Sequence, residues 1–77
     1  MKVLLFARAR DLVGADWIDI ESAATVGEVR ARLKERYRHL SGLVEKSALA
    51  VNNEFADDLT PIPAGAEVAL LPPVSGG

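Results

Sequence analysis

The segment of the chain whose residue types best suit chemistry is its last six residues, Pro72, Pro73, Val74, Ser75, Gly76 and Gly77. Two consecutive prolines favour an extended backbone, so this segment can project on the order of 20 Å from a folded body. The two final glycines lack Cβ atoms and can enter a slot only as wide as a backbone. We therefore predict a flexible, extended tail that delivers one reactive group, the α-carboxylate of Gly77.

A terminal carboxylate is ionised at neutral pH and can act as a nucleophile. Its attack on the α-phosphorus of ATP would give an acyl-adenylate. Either a sulfur nucleophile or an amine could then capture the activated carbonyl. The residue types alone leave both outcomes open.

The side chains of the chain predict no second reactive site. The sequence holds no cysteine and one histidine, His39, which excludes thiol nucleophiles and metal sites built from thiolates or several histidines. No phosphate-binding glycine loop is present, and the serines follow no nucleophile-elbow pattern. Asp57 and Asp58 are adjacent in a predicted loop, and we interpret them as solvated turn residues. We expect no bound cofactor, no metal and no catalytic site other than the tail.

The charges of the chain are unevenly distributed. Nine basic and eleven acidic residues give a net charge of −2, which argues against nucleic acid as a partner. No basic residue follows Lys46, whereas Glu54, Asp57, Asp58 and Glu67 do. We expect this acidic part to suit a basic surface on a protein partner. The apolar run at the N-terminus is too short for a signal or a membrane span, so we expect a cytoplasmic protein with no membrane partner.

The hydrophobic pattern predicts one main helix among four or five strands. Thr25 and Glu28 form a capping-box pattern at its start, and its apolar stripe is Val26, Val29, Leu33, Tyr37 and Leu40. We expect Ser41-Gly42 to end the helix and residues 43–46 to form a short helical turn. We expect the basic residues opposite the stripe, Arg30 included, to form a solvated face. Alternation and apolar runs predict strands at 2–7, 16–21, 48–52, 54–56 and 66–71.

This order of elements predicts an α+β domain of two layers. We expect a ubiquitin-like β-grasp: a mixed sheet of four or five strands, with the first and last strands central, covered on one face by the main helix. The first two strands should form a hairpin. The predicted domain spans residues 1–71 and the tail spans residues 72–77.

Four segments carry a family resemblance that covers nearly the whole chain. They are VLLFARARDLVG at 3–14, TVGEVR at 25–30, AVN at 50–52 and PAGAEVALLPPVSGG at 63–77. With these segments the chain resembles the small subunit of molybdopterin synthase, the β-grasp sulfur carrier of molybdenum cofactor biosynthesis.

The resemblance implies a carrier cycle rather than an enzyme with its own catalytic site. An ATP-dependent, ubiquitin-activating-like adenylyltransferase would adenylate Gly77, and a sulfur donor protein would convert it to a thiocarboxylate. The tail would then enter the large subunit of the synthase and give sulfur to the pyranopterin precursor. The family usually forms a heterotetramer of two small and two large subunits, and its apolar docking surface corresponds here to Phe6, Phe55 and Leu71.

Three alternatives remain at this point. The chain could be the sulfur carrier of thiazole synthesis, a ubiquitin-like protein modifier that forms an isopeptide bond at Gly77, or a β-grasp interaction module whose tail is passive.

Overall fold

The last strand of the chain lies in the middle of the sheet. A computed structural model describes residues 1–73 and gives five strands there: β1 (Lys2–Leu5), β2 (Trp17–Asp19), β3 (Ala48–Val51), β4 (Glu54–Ala56) and β5 (Val68–Leu71). Their order across the sheet is β2-β1-β5-β3-β4. Strands β1 and β5 are parallel and the other neighbours are antiparallel. The predicted mixed sheet with central first and last strands is therefore confirmed.

Helix α2 (Val26–Arg36) covers one face of this sheet. Alternate residues of the three central strands point toward it, and its own buried side chains meet them. The fully buried members of this core are Leu33, Leu49, Val3, Val26, Val29 and Val68. This packing is the predicted two-layer arrangement of a helix on a sheet.

The start of α2 follows its sequence signature. The Thr25 hydroxyl accepts a hydrogen bond from the Glu28 backbone N–H at 3.3 Å. The Glu28 carboxylate in turn accepts one from the Ala24 N–H at 3.2 Å. The first bond satisfies a donor that the first turn of a helix would otherwise leave unpaired, and the second ties the residue before the N-cap to that turn.

The end of α2 differs from the prediction. The helix stops at Arg36, and a 3₁₀ turn (Arg38–Leu40) and helix α3 (Ser41–Lys46) follow it. Ser41 and Gly42 lie inside α3, so the expectation that they end the helix was wrong. Leu40 and Val44 are both buried. The chain turns at residue 37 because this change of direction brings both side chains into the core.

A second difference lies between β1 and β2, which pair as the predicted antiparallel hairpin but are not joined by a short turn. Strand β1 ends at Leu5, and helix α1 (Ala7–Val13) follows where the prediction had strand and turn. Only Ala9 of this helix is buried, so the sequence of α1 has no apolar stripe from which a helix could be predicted. Gly14 closes α1 at φ 82° and donates its N–H to the Arg10 carbonyl.

Arg30 joins four parts of the chain. Its Nη1 donates to the carbonyls of Val44 and Ser47, each at 2.7 Å, and its Nε donates to Asp58 at 3.1 Å. Its side chain is only 13% exposed. The prediction of a solvated face was therefore wrong for Arg30. Asp58 is an exposed turn residue, as predicted, and it also pairs with Arg30. This guanidinium ties α2 to the end of α3, the start of β3 and the long loop before β5.

We expect Arg30→Met to lower the free energy of unfolding by about 2–4 kcal/mol, because it leaves buried carbonyls and Asp58 without their donor. Lys34→Met is the matched control. Lys34 forms a surface ion pair with Glu45 at 3.3 Å, and we expect its loss to cost less than about 0.5 kcal/mol. Urea denaturation followed by far-UV circular dichroism measures both. Equal effects of the two substitutions would contradict the role assigned to Arg30.

The junction between β1 and α1 provides a second test. Ala7 has φ 50°, in the left-handed region that a Cβ atom disfavours. We expect Ala7→Gly to raise the free energy of unfolding by up to about 1 kcal/mol. The same substitution at Ala31, an exposed position inside α2, should lower it by about 1 kcal/mol. Thermal unfolding of both variants checks the opposite signs; a lower melting temperature for Ala7→Gly would contradict the expectation.

Candidate functional site

The tail leaves the body from the middle of the sheet. Strand β5 ends at Leu71, Pro72 is still buried and Pro73 is exposed. Strand β3 pairs with β5 as far as Leu71 and β1 pairs with it as far as Leu70, so β5 is held on both sides almost to the point at which the chain leaves the sheet. The predicted tail residues Val74, Ser75, Gly76 and Gly77 lie outside the described residues, and the boundary predicted between 71 and 72 stays a prediction.

The face of the sheet opposite α2, which we call the outer face, carries a row of apolar side chains. The strand registers pair Trp17 with Leu4, Leu4 with Ala69, Ala69 with Ala50, and Ala50 with Phe55. These residues alternate along their strands with core residues, so they point away from α2. Trp17 is 49% exposed and Phe55 is 76% exposed. Large aromatic side chains this exposed indicate a contact surface.

A groove of about 180 Å³ lies in the outer face, and we call it the outer groove. It is lined by Leu4, Phe6, Ala50, Asn53, Phe55, Glu67, Ala69 and Leu71. The structure thus brings the three predicted docking residues, Phe6, Phe55 and Leu71, into one depression beside the exit of the tail. Their role in docking stays a prediction, but their proximity is a property of the fold.

Sequence reasoning missed two polar residues of the outer groove, Asn53 and Glu67. Glu67 directly precedes β5, and the alternation that places Ala69 and Leu71 on the outer face would also have placed Glu67 there. Asn53 belongs to the predicted tight turn between β3 and β4, where Asn52 and Asn53 have φ 50° and 68°. The Asn52 side chain accepts a hydrogen bond from the Glu67 N–H at 3.0 Å, so this turn fixes the start of β5.

A larger depression of about 440 Å³ lies between α2 and the segment after β2. Its lining residues are Ile20, Glu21, Arg32, Glu35, Arg36 and Arg38. Two of its charged groups pair with each other, since Arg32 lies 3.2 Å from Glu21. A third, Arg36, donates to the Asp19 carbonyl. These pairings make it a weaker candidate for binding than the outer groove.

Within residues 1–73, no three acidic or histidine side chains are grouped as metal ligands would be. His39 is exposed at the 3₁₀ turn, and Asp57 binds its own loop by accepting hydrogen bonds from the Leu59 N–H and the Thr60 hydroxyl. In that same part of the chain, no helix is both long and apolar enough to cross a membrane. The candidate site is therefore the outer groove together with the exit of the tail.

Comparison with known protein families gives a match to the ThiS family over residues 3–77. A curated relative from Dictyostelium discoideum, the molybdopterin synthase sulfur carrier subunit, is 38% identical over 99% of this chain and 94% of its own length. The family match includes residues 74–77, which the structure does not describe.

Solved structures give the same picture of the fold. SAMP1 from Haloferax volcanii is 30% identical and superposes with a TM-score of 0.75 over 99% of this chain and 97% of its own. A protein-protein complex of subunits 1 and 2 of molybdopterin-converting factor from Helicobacter pylori contains a chain that is 30% identical, with a TM-score of 0.68 over 99% of this chain and 96% of its own. These similarities confirm the predicted ubiquitin-like β-grasp fold.

If Phe55 serves contact rather than folding, its removal should hardly affect stability. We expect Phe55→Ala to change the free energy of unfolding by less than about 0.5 kcal/mol, because the side chain is mostly in water already. Leu49→Ala, at a core position of the adjacent strand with 1% exposure, should cost about 2–5 kcal/mol. Chemical denaturation of the two variants makes the comparison. Similar losses would assign Phe55 to the core.

Proposed function

Since the chain belongs to the ThiS family, and within it to the sulfur carrier subunits of molybdopterin synthase, we propose that it carries sulfur on Gly77 for the synthesis of molybdopterin. The observation that carries this proposal is the similarity to those subunits, which runs through the tail. The chain has no cysteine, so the carboxyl group of Gly77 is the group on which it would hold transferable sulfur.

The proposed cycle begins with activation by a partner enzyme of the ubiquitin-activating type. The Gly77 carboxylate attacks the α-phosphorus of ATP, and pyrophosphate leaves. Hydrosulfide delivered by a donor protein then displaces AMP and leaves a thiocarboxylate. The sulfur of the thiocarboxylate forms a bond to a carbon of the pyranopterin precursor, and water then cleaves the bond between this sulfur and the Gly77 carbonyl, which leaves sulfur on the precursor and restores the Gly77 carboxylate for another cycle. ATP is consumed by the activating enzyme and is not a resident cofactor of this chain.

The large subunit of the synthase is the partner that receives the tail. The Helicobacter pylori relative is described in complex with the second subunit of its converting factor. The position of the outer groove supports the same partnership here, since Leu71 lines it and immediately precedes the tail. A partner that takes in the tail must therefore cover this part of the outer face.

The fold also limits how far Gly77 can reach. Pro72 is buried, so only five residues, 73–77, follow the last buried position of the body. Five extended residues span at most about 17 Å. This short tether supports transfer inside a docked complex, since the body and the reacting carboxyl group must both be in contact with one partner.

A protein modifier is the second candidate. The observation that favours this role is the similarity to SAMP1 of Haloferax volcanii. Another similar solved structure is that of small archaeal modifier protein 1 from H. volcanii. In that role the acyl-adenylate of Gly77 would be captured by a lysine amine rather than by sulfur. Covalent adducts of this chain with other proteins, resistant to reducing agents, would distinguish it from the carrier.

Deletion of Gly76 and Gly77 tests the proposal. With the candidate activating enzyme and ATP, we expect the full chain to release pyrophosphate and the truncated chain to release none. The truncated chain should retain most of its binding to the large subunit, because the outer face is unchanged. His39→Ala, which removes the single imidazole at an exposed site far from the tail in sequence, is the control and should behave as the full chain.

The thiocarboxylate that forms when sulfur displaces AMP is identified by mass. Trypsin should release a C-terminal peptide that starts at Ser47, because no lysine or arginine follows Lys46. With the sulfur donor added, this peptide should gain the mass difference between sulfur and oxygen. It contains no methionine, so oxidation of methionine cannot imitate the gain. Normal cofactor synthesis by the truncated chain would overturn the proposal in favour of a passive interaction module.

A further inference from the structure

We infer that the outer groove binds one large apolar side chain of the large subunit, and that a lysine or arginine beside that side chain pairs with Glu67. This inference rests on the proposed function, because it names the chemistry of the partner surface that covers the exit of the tail. It adds Glu67 and the two alanines beneath the groove to the predicted docking residues.

The shape of the groove follows from small residues between large ones. Ala50 and Ala69 are cross-strand partners in the centre of the outer face. Phe55 stands beside Ala50 on β4, and Leu4 stands beside Ala69 on β1. Neighbouring strands lie about 4.8 Å apart, so β1 and β4 are separated by roughly 14 Å. Two alanines between these larger side chains leave a depression that an intruding side chain can fill.

The volume of the groove limits the size of the group that can fill it. At about 180 Å³ it is smaller than the roughly 300–1,000 Å³ of typical small-molecule sites. It is close to the apolar cavity of about 150 Å³ that holds one benzene molecule. The groove therefore suits a single leucine, methionine or phenylalanine side chain better than a cofactor. An apolar anchor of this kind is a common centre of a protein interface.

The charge at one end of the groove indicates what lies next to that anchor. Glu67 is exposed, and among residues 1–73 no cation lies within 4.0 Å of its carboxylate. The nearest base by strand register is Lys2, whose Nζ lies 4.8 Å from the centre of the Trp17 ring. The chain beyond Lys46 carries acids and no base. A partner cation is the complementary group for Glu67.

The large subunit is the occupant that fits best, because the groove is continuous with the exit of the tail. Leu71 belongs to both, since it lines the groove and ends β5. Glu67 lies at the other end of the same strand segment, where Asn52 fixes its backbone by accepting from its N–H and donating to its carbonyl at 2.8 Å. The partner that receives Gly77 would thus contact the segment from Glu67, just before β5, to Leu71 at its end.

Calorimetric titration of the full chain with the purified large subunit tests the inference. We expect Ala69→Leu, which fills the groove, to weaken the affinity at least tenfold. Ala31→Leu places the same substitution on exposed α2 and should leave the affinity unchanged. We expect Glu67→Lys to weaken the affinity at least tenfold and to reduce its salt dependence. Glu54→Lys, the same reversal outside the groove, is its control and should have a smaller effect.

Circular dichroism checks that each variant is folded. If Ala69→Leu is not folded, Glu67→Lys, a substitution at an exposed position, provides the test. Unchanged affinity for both groove variants would overturn the inference, while loss of pyrophosphate release on truncation would still support the proposed function. Failure of the unmodified chain to bind the large subunit would overturn both. The chain alone could also form a concentration-dependent dimer that Ala69→Leu abolishes. That result would make a second copy of the chain the occupant of the groove, and it would overturn the inference.

Discussion

The pairing of β5 with β1 on one side and β3 on the other is the constraint on which the rest of the structure depends. A strand at the edge of a sheet would leave the tail attached to a part of the chain that frays easily, whereas β5 has both of its hydrogen-bonding sides occupied. Val68 and Leu70 of the same strand are buried against α2. The residue at which the tail begins is therefore fixed by the core itself.

Arg30 compensates for what a chain of this length lacks. Small domains bury a modest share of their surface and often depend on disulfides or metals. This chain has no cysteine, and it spans residues 57–67 before β5 with no helix or strand. The Arg30 guanidinium joins that segment, through Asp58, to α2 and to the start of β3. Gly27 lets the same loop approach closely, because a Cβ atom there would lie 3.0 Å from the Asp58 carbonyl oxygen.

Much of this fold follows from the sequence, and the exceptions have physical reasons. The central position of β1 and β5 and the start of α2 were predictable, because apolar runs indicate burial and a capping box indicates how unpaired donors at the start of a helix are satisfied. Helix α1 was not, since a helix with one buried residue has no periodicity to detect. The role of Arg30 was missed because its place on a basic helix face predicts solvation, while its carbonyl partners come from residues 44–47, far along the chain. Alternation along the strand predicted at 66–71 places Glu67 on the same face as Ala69 and Leu71, but the groove that they share with Phe55 depends on the order of the strands across the sheet.

The proposed function separates the chemistry of the chain, at Gly77, from the recognition of its partners. Two terminal glycines have no side chains with which to distinguish one enzyme from another, so the tail can enter any slot that admits a bare backbone. Selectivity must then come from the body, and the body offers it on the face of the strand that leads into the tail. Because at most about five residues separate that strand from the reacting carboxyl group, a partner that does not fit the outer face cannot hold Gly77 in place. Under the proposed function, a small carrier can in this way be specific for its partners.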